Sequence, residues 1–133
     1  MVFQEAAEAI GIANVLHAFA RLADEGTPPD LGALLADDVE WTMAGAHWRG
    51  REQTVAGLSH MRELGHAGPD SGNRHVITNL EVHVTGDRAT ASSYFLLVSS
   101  GSPAAILAAG AYRDELSRGQ DGRWRLARRE VAS

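Results

Sequence analysis

The chain has 133 residues, which is the size of one domain and enough to bury a hydrophobic core, so we expect a single domain over residues 1–133. Acidic residues outnumber basic ones by 17 to 12, and the net charge of −5 argues against nucleic acid as a partner, since a phosphate-binding surface is basic. The lack of cysteine excludes disulfides and sulfur-ligated zinc and fits the cytoplasmic location that we expect. We see no apolar run of the kind that predicts a signal peptide or a membrane span.

The first half of the sequence is predicted to be mainly helical. A long helix from Gln4 to about Gly26 is indicated by apolar residues that recur at helical spacing, which are Ile12, Val15, Leu16, Phe19 and Leu22. Its opposite face carries a polar stripe formed by Asn14, His17, Arg21 and Asp24. Thr27-Pro28-Pro29 should end this helix, and Asp30 should cap a short second helix from Leu31 to about Ala36.

A strand over residues 39–43, a short segment around His47-Trp48 and a third helix from about Glu52 to Leu64 follow. Beyond a loop over residues 65–72, the second half is predicted to be strands at residues 73–87, 89–98, 104–116 and 124–131, separated by glycine-rich turns. Helices followed by hairpin-linked strands are typical of an α+β fold with an antiparallel sheet. We therefore expect one curved sheet wrapped over the long helix.

The strand from Asn73 to Asp87 carries a histidine, His75, near its start. Leu80, Val82 and Val84 alternate with polar residues and should face the core, but strict alternation places His75 on the other face. If His75 faces a pocket, the strand must change phase between His75 and Leu80, most simply through a β-bulge. The alternative is a histidine on the surface or at an interface.

The order of these elements, and seven short sequence blocks, resemble the nuclear transport factor 2-like superfamily. The blocks lie at residues 19–24, 35–41, 48–51, 74–79, 86–91, 111–116 and 122–126, and they include Trp48-Arg49-Gly50-Arg51 and Arg74-His75-Val76-Ile77. The nearest resemblance is to the SnoaL-like group, which contains polyketide cyclases and scytalone dehydratase-like proteins. It implies a cone-shaped α+β barrel, in which N-terminal helices pack in a strongly curved, mixed and mostly antiparallel sheet around a deep pocket.

The resemblance also implies a catalytic pair, Asp24 and His75, at positions where dehydratase and dehydrochlorinase relatives hold an Asp–His dyad. The histidine would remove a proton and the aspartate would fix its tautomer, with no metal and no organic cofactor. Without the resemblance, Asp24 would be read as a solvated residue at a helix end.

Further residues are expected to bind a small apolar, aromatic or polyketide-like ligand. Phe19, Trp41, Trp48 and Met61 could line the pocket, with Phe19 standing where relatives often have a tyrosine. Asn79, Tyr94 and Tyr112 could hydrogen-bond the substrate. Each aromatic residue could instead belong to the core or an interface, and Asn79 could face water.

The remaining charged residues suggest no further chemistry. Arg113, Arg128 and Arg129 are expected to form surface or subunit ion pairs, and His47, His60, His66 and His83 lack the spacing of a metal site. Two functions remain open: a cofactor-free lyase, isomerase or cyclase, or a non-catalytic ligand-binding or assembly domain. An apolar outer sheet face carrying Tyr112, Leu116 and Trp124 would favour a homodimer, with a trimer as the alternative.

Overall fold

A computed structural model describes residues 2–133. Three α-helices come first, α1 (Val2–Glu25), α2 (Pro28–Gly32) and α3 (Arg51–Glu63), and strands β1 (Leu35–Met43) and β2 (Ala46–Arg49) lie between α2 and α3. A short 3-10 turn (Pro69–Ser71) leads to the long strands β3 (Arg74–Thr85), β4 (Arg88–Val98), β5 (Ile106–Arg118) and β6 (Trp124–Ala132). The predicted order of helices and strands is confirmed.

The six strands form one sheet in the order β2-β1-β6-β5-β4-β3. Every neighbouring pair is antiparallel except β1 and β6, which run parallel, so the sheet is mixed and mostly antiparallel as expected. The sheet is curled and not closed. Helix α1 lies against it and contributes Ile12, Leu16 and Phe19 to the core, where they meet Leu35, Val39, Leu116 and Leu126.

Helix α2 begins earlier than the sequence predicts. It starts at Pro28, and the Asp30 carboxylate accepts hydrogen bonds from the backbone N–H and the hydroxyl of Thr27, both at 2.8 Å. Thr27 is therefore the N-cap, and Asp30 completes a capping box from inside the helix. The prediction that Asp30 caps a helix starting at Leu31 was wrong. Proline is accepted in the first helical turn, because the backbone N–H groups there have no acceptor within the helix.

The apolar residues expected on the outer sheet face lie inside. Tyr112, Leu116 and Trp124 are all buried. Tyr112 and Leu116 alternate with the exposed Arg113 and Glu115 on β5, and Trp124 is on the neighbouring strand β6. The prediction that they form the outer face was wrong. The outer face instead exposes Val76, Tyr94 and Ile106, which lie on the neighbouring strands β3, β4 and β5.

Candidate active site

A cavity of about 190 Å³ lies among α1, α3 and the inner face of the sheet. Its walls are mainly apolar, and they include the aromatic side chains of Phe19, Trp41, Phe95 and Tyr112 and the thioethers of Met43 and Met61. The side chains that bring polar or charged groups to the walls include Arg62, His66, His75, Tyr112 and Arg129. An apolar cavity with a few polar groups is the usual form of a small-molecule site.

His75 and Asp24 are in direct contact at the wall of this cavity. The Nδ1 atom of His75 lies 2.7 Å from Oδ1 of Asp24, and the His75 backbone N–H also donates to both carboxylate oxygens, at 3.0 and 3.1 Å. The side chains keep only 18% and 11% of their exposure. Since a carboxylate can only accept, the neutral ring carries its proton on Nδ1, and Nε2 then has a free lone pair.

The elements that carry the two residues explain why they meet. Asp24 lies in the last turn of α1 and His75 is the second residue of β3, which packs against α1. Because the same carboxylate holds both the backbone and the ring of His75, the ring is fixed relative to the strand. The opposite side of the pair borders a polar cleft that is lined by His17, Arg21 and Arg74.

A β-bulge in β3 turns His75 toward the cavity. The pairing of β3 with β4 shifts between Thr78 and Glu81, and Asn79 has a left-handed backbone with φ of 52°. Before the bulge His75 faces inward, and after it Leu80 and Val82 do. The phase change predicted from the conflict between His75 and Leu80 is therefore confirmed.

A second bulge turns an arginine into the same cavity. Leu116 pairs with Leu126 and the neighbouring Glu115 pairs with Arg128, so Ala127 is the extra residue in β6. This phase change places Arg129 on the inner face, with only 3% of the residue exposed. The prediction that Arg129 forms a surface or subunit ion pair was wrong, because alternation read along the sequence misses a bulge. Arg128, by contrast, makes a surface pair with Glu130 at 2.8 Å.

The buried Arg129 guanidinium is held by a carboxylate and by aromatic rings. Nε and Nη2 donate to the two oxygens of Asp114, at 2.8 and 3.0 Å. Its Cζ atom lies 3.7 Å from the centre of the Tyr112 ring and 5.3 and 5.4 Å from the centres of Phe19 and Trp41. Burial alone would lower the pKa of Arg129, but the charge and hydrogen bonds of Asp114 outweigh it and raise that pKa. Arg129 is therefore a permanent cation in the cavity wall.

Tyr112 presents a neutral phenol to the cavity. Burial raises the pKa of Tyr112, Arg129 partly offsets this effect, and the negative charges of Asp114 and Asp24 add to it. The phenol therefore keeps its proton and can donate a hydrogen bond. No hydrogen-bond partner of this hydroxyl is found among residues 2–133, which leaves it free for a ligand.

Arg62 fixes the end of the helix that carries Asp24. From α3 its guanidinium donates to the carbonyl oxygens of Gly26, Leu22 and Ala23, at 2.6, 2.8 and 3.2 Å. Sequence reasoning did not single out Arg62, and nothing in its neighbourhood along the chain pointed to this contact, which joins residues 36 to 40 positions apart. His66, in the loop after α3, was likewise not predicted to line the cavity.

The structure brings together six of the nine predicted site residues: Asp24 and His75 as the pair, and Phe19, Trp41, Met61 and Tyr112 in the cavity wall. Trp48 lies behind Trp41, with the ring centres 6.2 Å apart, and does not reach the cavity. Asn79 occupies the bulge and is exposed, and Tyr94 points to the outer face of the sheet. These three residues lie outside the cavity lining, so we assign them no ligand contact.

Among residues 2–133, neither a metal site nor a helix that could cross a membrane is found. Within residues 2–133 no three histidine, aspartate or glutamate side chains converge as a metal ion would require. Of the described helices, none combines the length and the apolar character needed to cross a membrane.

The sequence matches the family described as the SnoaL-like domain over residues 4–130, and the chain belongs to this family. Its fold is similar to a nuclear transport factor 2-like protein with a cystatin-like fold from Novosphingobium aromaticivorans, with 27% identity, 98% of this chain and 82% of the other covered, and a TM-score of 0.80.

Two other solved structures are also similar. A protein provisionally named a scytalone dehydratase, from the same organism, has 23% identity, coverage of 98% and 87%, and a TM-score of 0.79. A protein from Catenulispora acidiphila in complex with S-DNPA has 23% identity, coverage of 95% and 94%, and a TM-score of 0.78. At this level of identity, both likenesses show the fold alone. A comparison with curated protein sequences gives no significant match.

Proposed function

We propose that this chain is a cofactor-free enzyme of the lyase, isomerase or cyclase type, with His75 as its general base. The observation that carries the proposal is the 2.7 Å contact between Nδ1 of His75 and the Asp24 carboxylate at the wall of an apolar cavity. The carboxylate holds the proton on Nδ1, so Nε2 is free to accept one from a substrate. It also stabilises the imidazolium that then forms.

The chemistry suited to this site is removal of a proton from a carbon next to a carbonyl group. The C–H bond breaks, its proton goes to Nε2 of His75, and its electrons form an enolate with negative charge on oxygen. The enolate then expels a β-leaving group, regains a proton at another carbon, or attacks a second carbonyl to close a ring. These outcomes correspond to elimination, isomerisation and cyclisation.

Two groups are placed to stabilise the enolate oxygen. Tyr112 has a free hydroxyl, and Arg129 uses only Nε and Nη2 for Asp114, which leaves Nη1 with two N–H donors. Both residues line the cavity that His75 also lines. A well-placed donor to a developing oxyanion contributes about 3 kcal/mol to transition-state stabilisation. Tyr112 is one of the three residues that the sequence suggested for this role, with Asn79 and Tyr94, and we add Arg129 to the proposal.

The family and the cavity support a small ligand. Of the proteins with a similar fold, one is named for scytalone dehydration and another was solved in complex with S-DNPA. The apolar walls favour an aromatic or polyketide-like substrate with one or two oxygen atoms. We therefore propose a ligand with an aromatic or aliphatic ring and an acidic C–H next to a carbonyl.

The test is a screen of small enones, polyketide-like phenols and halogenated rings, followed by variants of the pair. His75→Ala should abolish turnover of any substrate found, and Asp24→Asn should reduce it by roughly a thousandfold or more, because the ring loses its preferred tautomer. His60→Ala is the matched control, since His60 is exposed on α3 and pairs with Glu63 outside the cavity. Normal turnover in His75→Ala would contradict the proposal. Binding of a ligand that is never converted would favour the alternative, a non-catalytic binding or assembly domain.

We also propose that two chains associate through the outer face of the sheet. Val76, Tyr94, Ile106 and Leu107 are large apolar or aromatic residues on three adjacent strands, and each exposes 44% or more of its surface. Several large apolar residues exposed on one face of a sheet are uncommon on a monomeric protein. The homodimer expected from the sequence thus remains our proposal, but with different residues at its interface.

A further inference from the structure

The polar side chains in the cavity wall are mainly hydrogen-bond donors. Trp41, Arg62 and Arg129 can only donate, and the phenol of Tyr112 keeps its proton and donates as well. Within residues 2–133, no aspartate, glutamate, asparagine or glutamine side chain lines the cavity. A ligand that is complementary to this wall therefore carries oxygen atoms that accept hydrogen bonds.

Trp41 has a buried donor without an acceptor. Its indole Nε1–H makes no hydrogen bond in the part of the chain that the structure describes. The residue is only 4% exposed and belongs to the cavity wall. A buried N–H group without an acceptor destabilises a folded protein, and native structures contain few of them. An oxygen atom of a ligand bound in the cavity would supply the missing acceptor.

The unused donors of the wall lie close together. Trp41 on β1 and Arg129 on β6 are paired neighbours in the sheet, and Cζ of Arg129 lies 5.4 Å from the centre of the Trp41 ring. The same atom lies 3.7 Å from the centre of the Tyr112 ring. Asp114 occupies Nε and Nη2 of Arg129 and leaves Nη1 free for a ligand. Three neighbouring side chains thus offer donors to one region of the cavity.

The charges at the wall favour an anionic ligand. Asp114 neutralises Arg129, but its side chain has no exposed surface and does not line the cavity. Arg62 gives its hydrogen bonds to backbone carbonyl oxygens at the end of α1, which are neutral groups. The Asp24 carboxylate is bound to His75 and is likewise absent from the lining. A carboxylate on a ligand would therefore meet cationic side chains at the wall and no anionic ones.

We propose that the substrate is a 2-oxo acid, whose carboxylate and adjacent carbonyl oxygen are held by Trp41, Tyr112 and Arg129. A carboxylate only accepts hydrogen bonds, and its oxygens suit the N–H groups of an arginine. Because the carbonyl is bonded directly to the carboxylate, the same group of donors serves both. The acidic C–H on the other side of the carbonyl is then left for His75. This inference deepens the proposed function and rests on it for the reaction, but binding alone tests it.

The experiment measures binding by calorimetry with two probes, 2-oxo-4-phenylbutanoate and its neutral amide, 2-oxo-4-phenylbutanamide. The wild type should bind the acid about tenfold or more tightly than the amide, the size expected for a hydrogen bond to a charged group. Trp41→Phe removes the N–H and keeps an apolar ring, and it should weaken binding of the acid by about tenfold. Trp48→Phe is the matched control and should bind as the wild type does, because Trp48 lies behind Trp41 and does not reach the cavity.

Two results would overturn the inference. One is an acid that binds the wild type no more tightly than the amide, or not at all. The other is an unchanged affinity for the acid in Trp41→Phe. If Trp41→Phe does not fold, Tyr112→Phe gives the same test, because it removes only a hydroxyl group, and an unchanged affinity there would also overturn the inference. Normal turnover in His75→Ala would instead refute the proposed base and would leave the preference for the acid intact.

Discussion

Arg129 and Asp114 are charged residues that keep 4% and 0% of their side-chain exposure. Burying a charge is costly, and here the cost is offset by two parallel hydrogen bonds and by the aromatic rings around the guanidinium. Such a pair contributes little net stability over an apolar replacement. An arginine in the wall of the cavity therefore points to function, because it provides donors that an apolar residue could not.

Removing one partner of the pair should destabilise the protein far more than the small net contribution of the whole pair suggests. Asp114→Asn would leave the buried Arg129 cation uncompensated, and we expect the free energy of unfolding to fall by roughly 3–5 kcal/mol. Urea denaturation measures this change. Asp121→Asn is the matched control, because Asp121 makes a similar two-bond pair with Arg125 at the surface, and its loss should destabilise the protein far less. Equal effects of the two substitutions would contradict the account of the buried pair.

At the scale of secondary-structure elements, two β-bulges determine which side chains reach the cavity. The bulge at Asn79 turns His75 inward on β3, and the bulge at Ala127 turns Arg129 inward on β6. Without its bulge, β3 would place His75 on the face opposite to the apolar residues that follow it. In the same way, β6 would place Arg129 on the face opposite to the apolar residues that precede it. The site thus depends on two single-residue insertions in otherwise regular strands.

The bulge at Asn79 can be tested through its left-handed backbone. Asn79→Val should lower the free energy of unfolding by about 1–2 kcal/mol, because a β-branched residue is strained at a φ of 52°. Asn79→Gly should change it by less than about 0.5 kcal/mol, since glycine accepts this conformation. Both values come from chemical denaturation.

The control for this series is Glu81→Val. Glu81 is exposed on the same strand just beyond the bulge, and the substitution should change stability by no more than about 0.5 kcal/mol. If Asn79→Val were as mild as Glu81→Val, the bulge would not be fixed at residue 79.

The two bulges also show what could be predicted from the sequence. The bulge in β3 was predictable because strict alternation places His75 and Leu80 on opposite faces of one strand that is rich in β-branched residues. The bulge in β6 was not, since the sequence offered no residue whose expected role conflicted with alternation, and Arg129 was read as a surface residue. The contact between Arg62 and α1 was beyond prediction for another reason: it joins two helices whose relative position depends on the whole fold.

The sequence also did not show which of the two tyrosines is buried. Tyr94 and Tyr112 could not be told apart by residue type, and only the pairing of β4 with β5 shows that one is outside and the other inside. The α+β order and the Asp24–His75 pair could be expected from the chain order and the resemblance to known proteins. The orientation of individual strands could not.

For the whole molecule, the apolar outer face leads to a prediction about assembly. Light scattering at micromolar concentration should give the mass of two chains for the wild type. Tyr94→Arg should shift this mass toward one chain, because it places a charge in the middle of the apolar patch. Thr90→Arg is the control, since Thr90 is exposed on the same strand, four residues before Tyr94, and lies near polar residues.

A monomer mass for the wild type would contradict this prediction. A three-chain mass that Tyr94→Arg also disrupts would support the same surface with the other predicted assembly, the trimer.

The central claim is that His75 removes a proton from carbon inside the cavity. The most direct measurement uses 4-phenylbutan-2-one, a small aromatic ketone without a leaving group, and follows by NMR the exchange of the protons next to its carbonyl for deuterium in D₂O. We expect the wild type to accelerate this exchange above the buffer rate and His75→Gln to return it to that rate, while His60→Gln behaves as the wild type. Exchange by His75→Gln at the wild-type rate, or no acceleration by the wild type, would contradict the account.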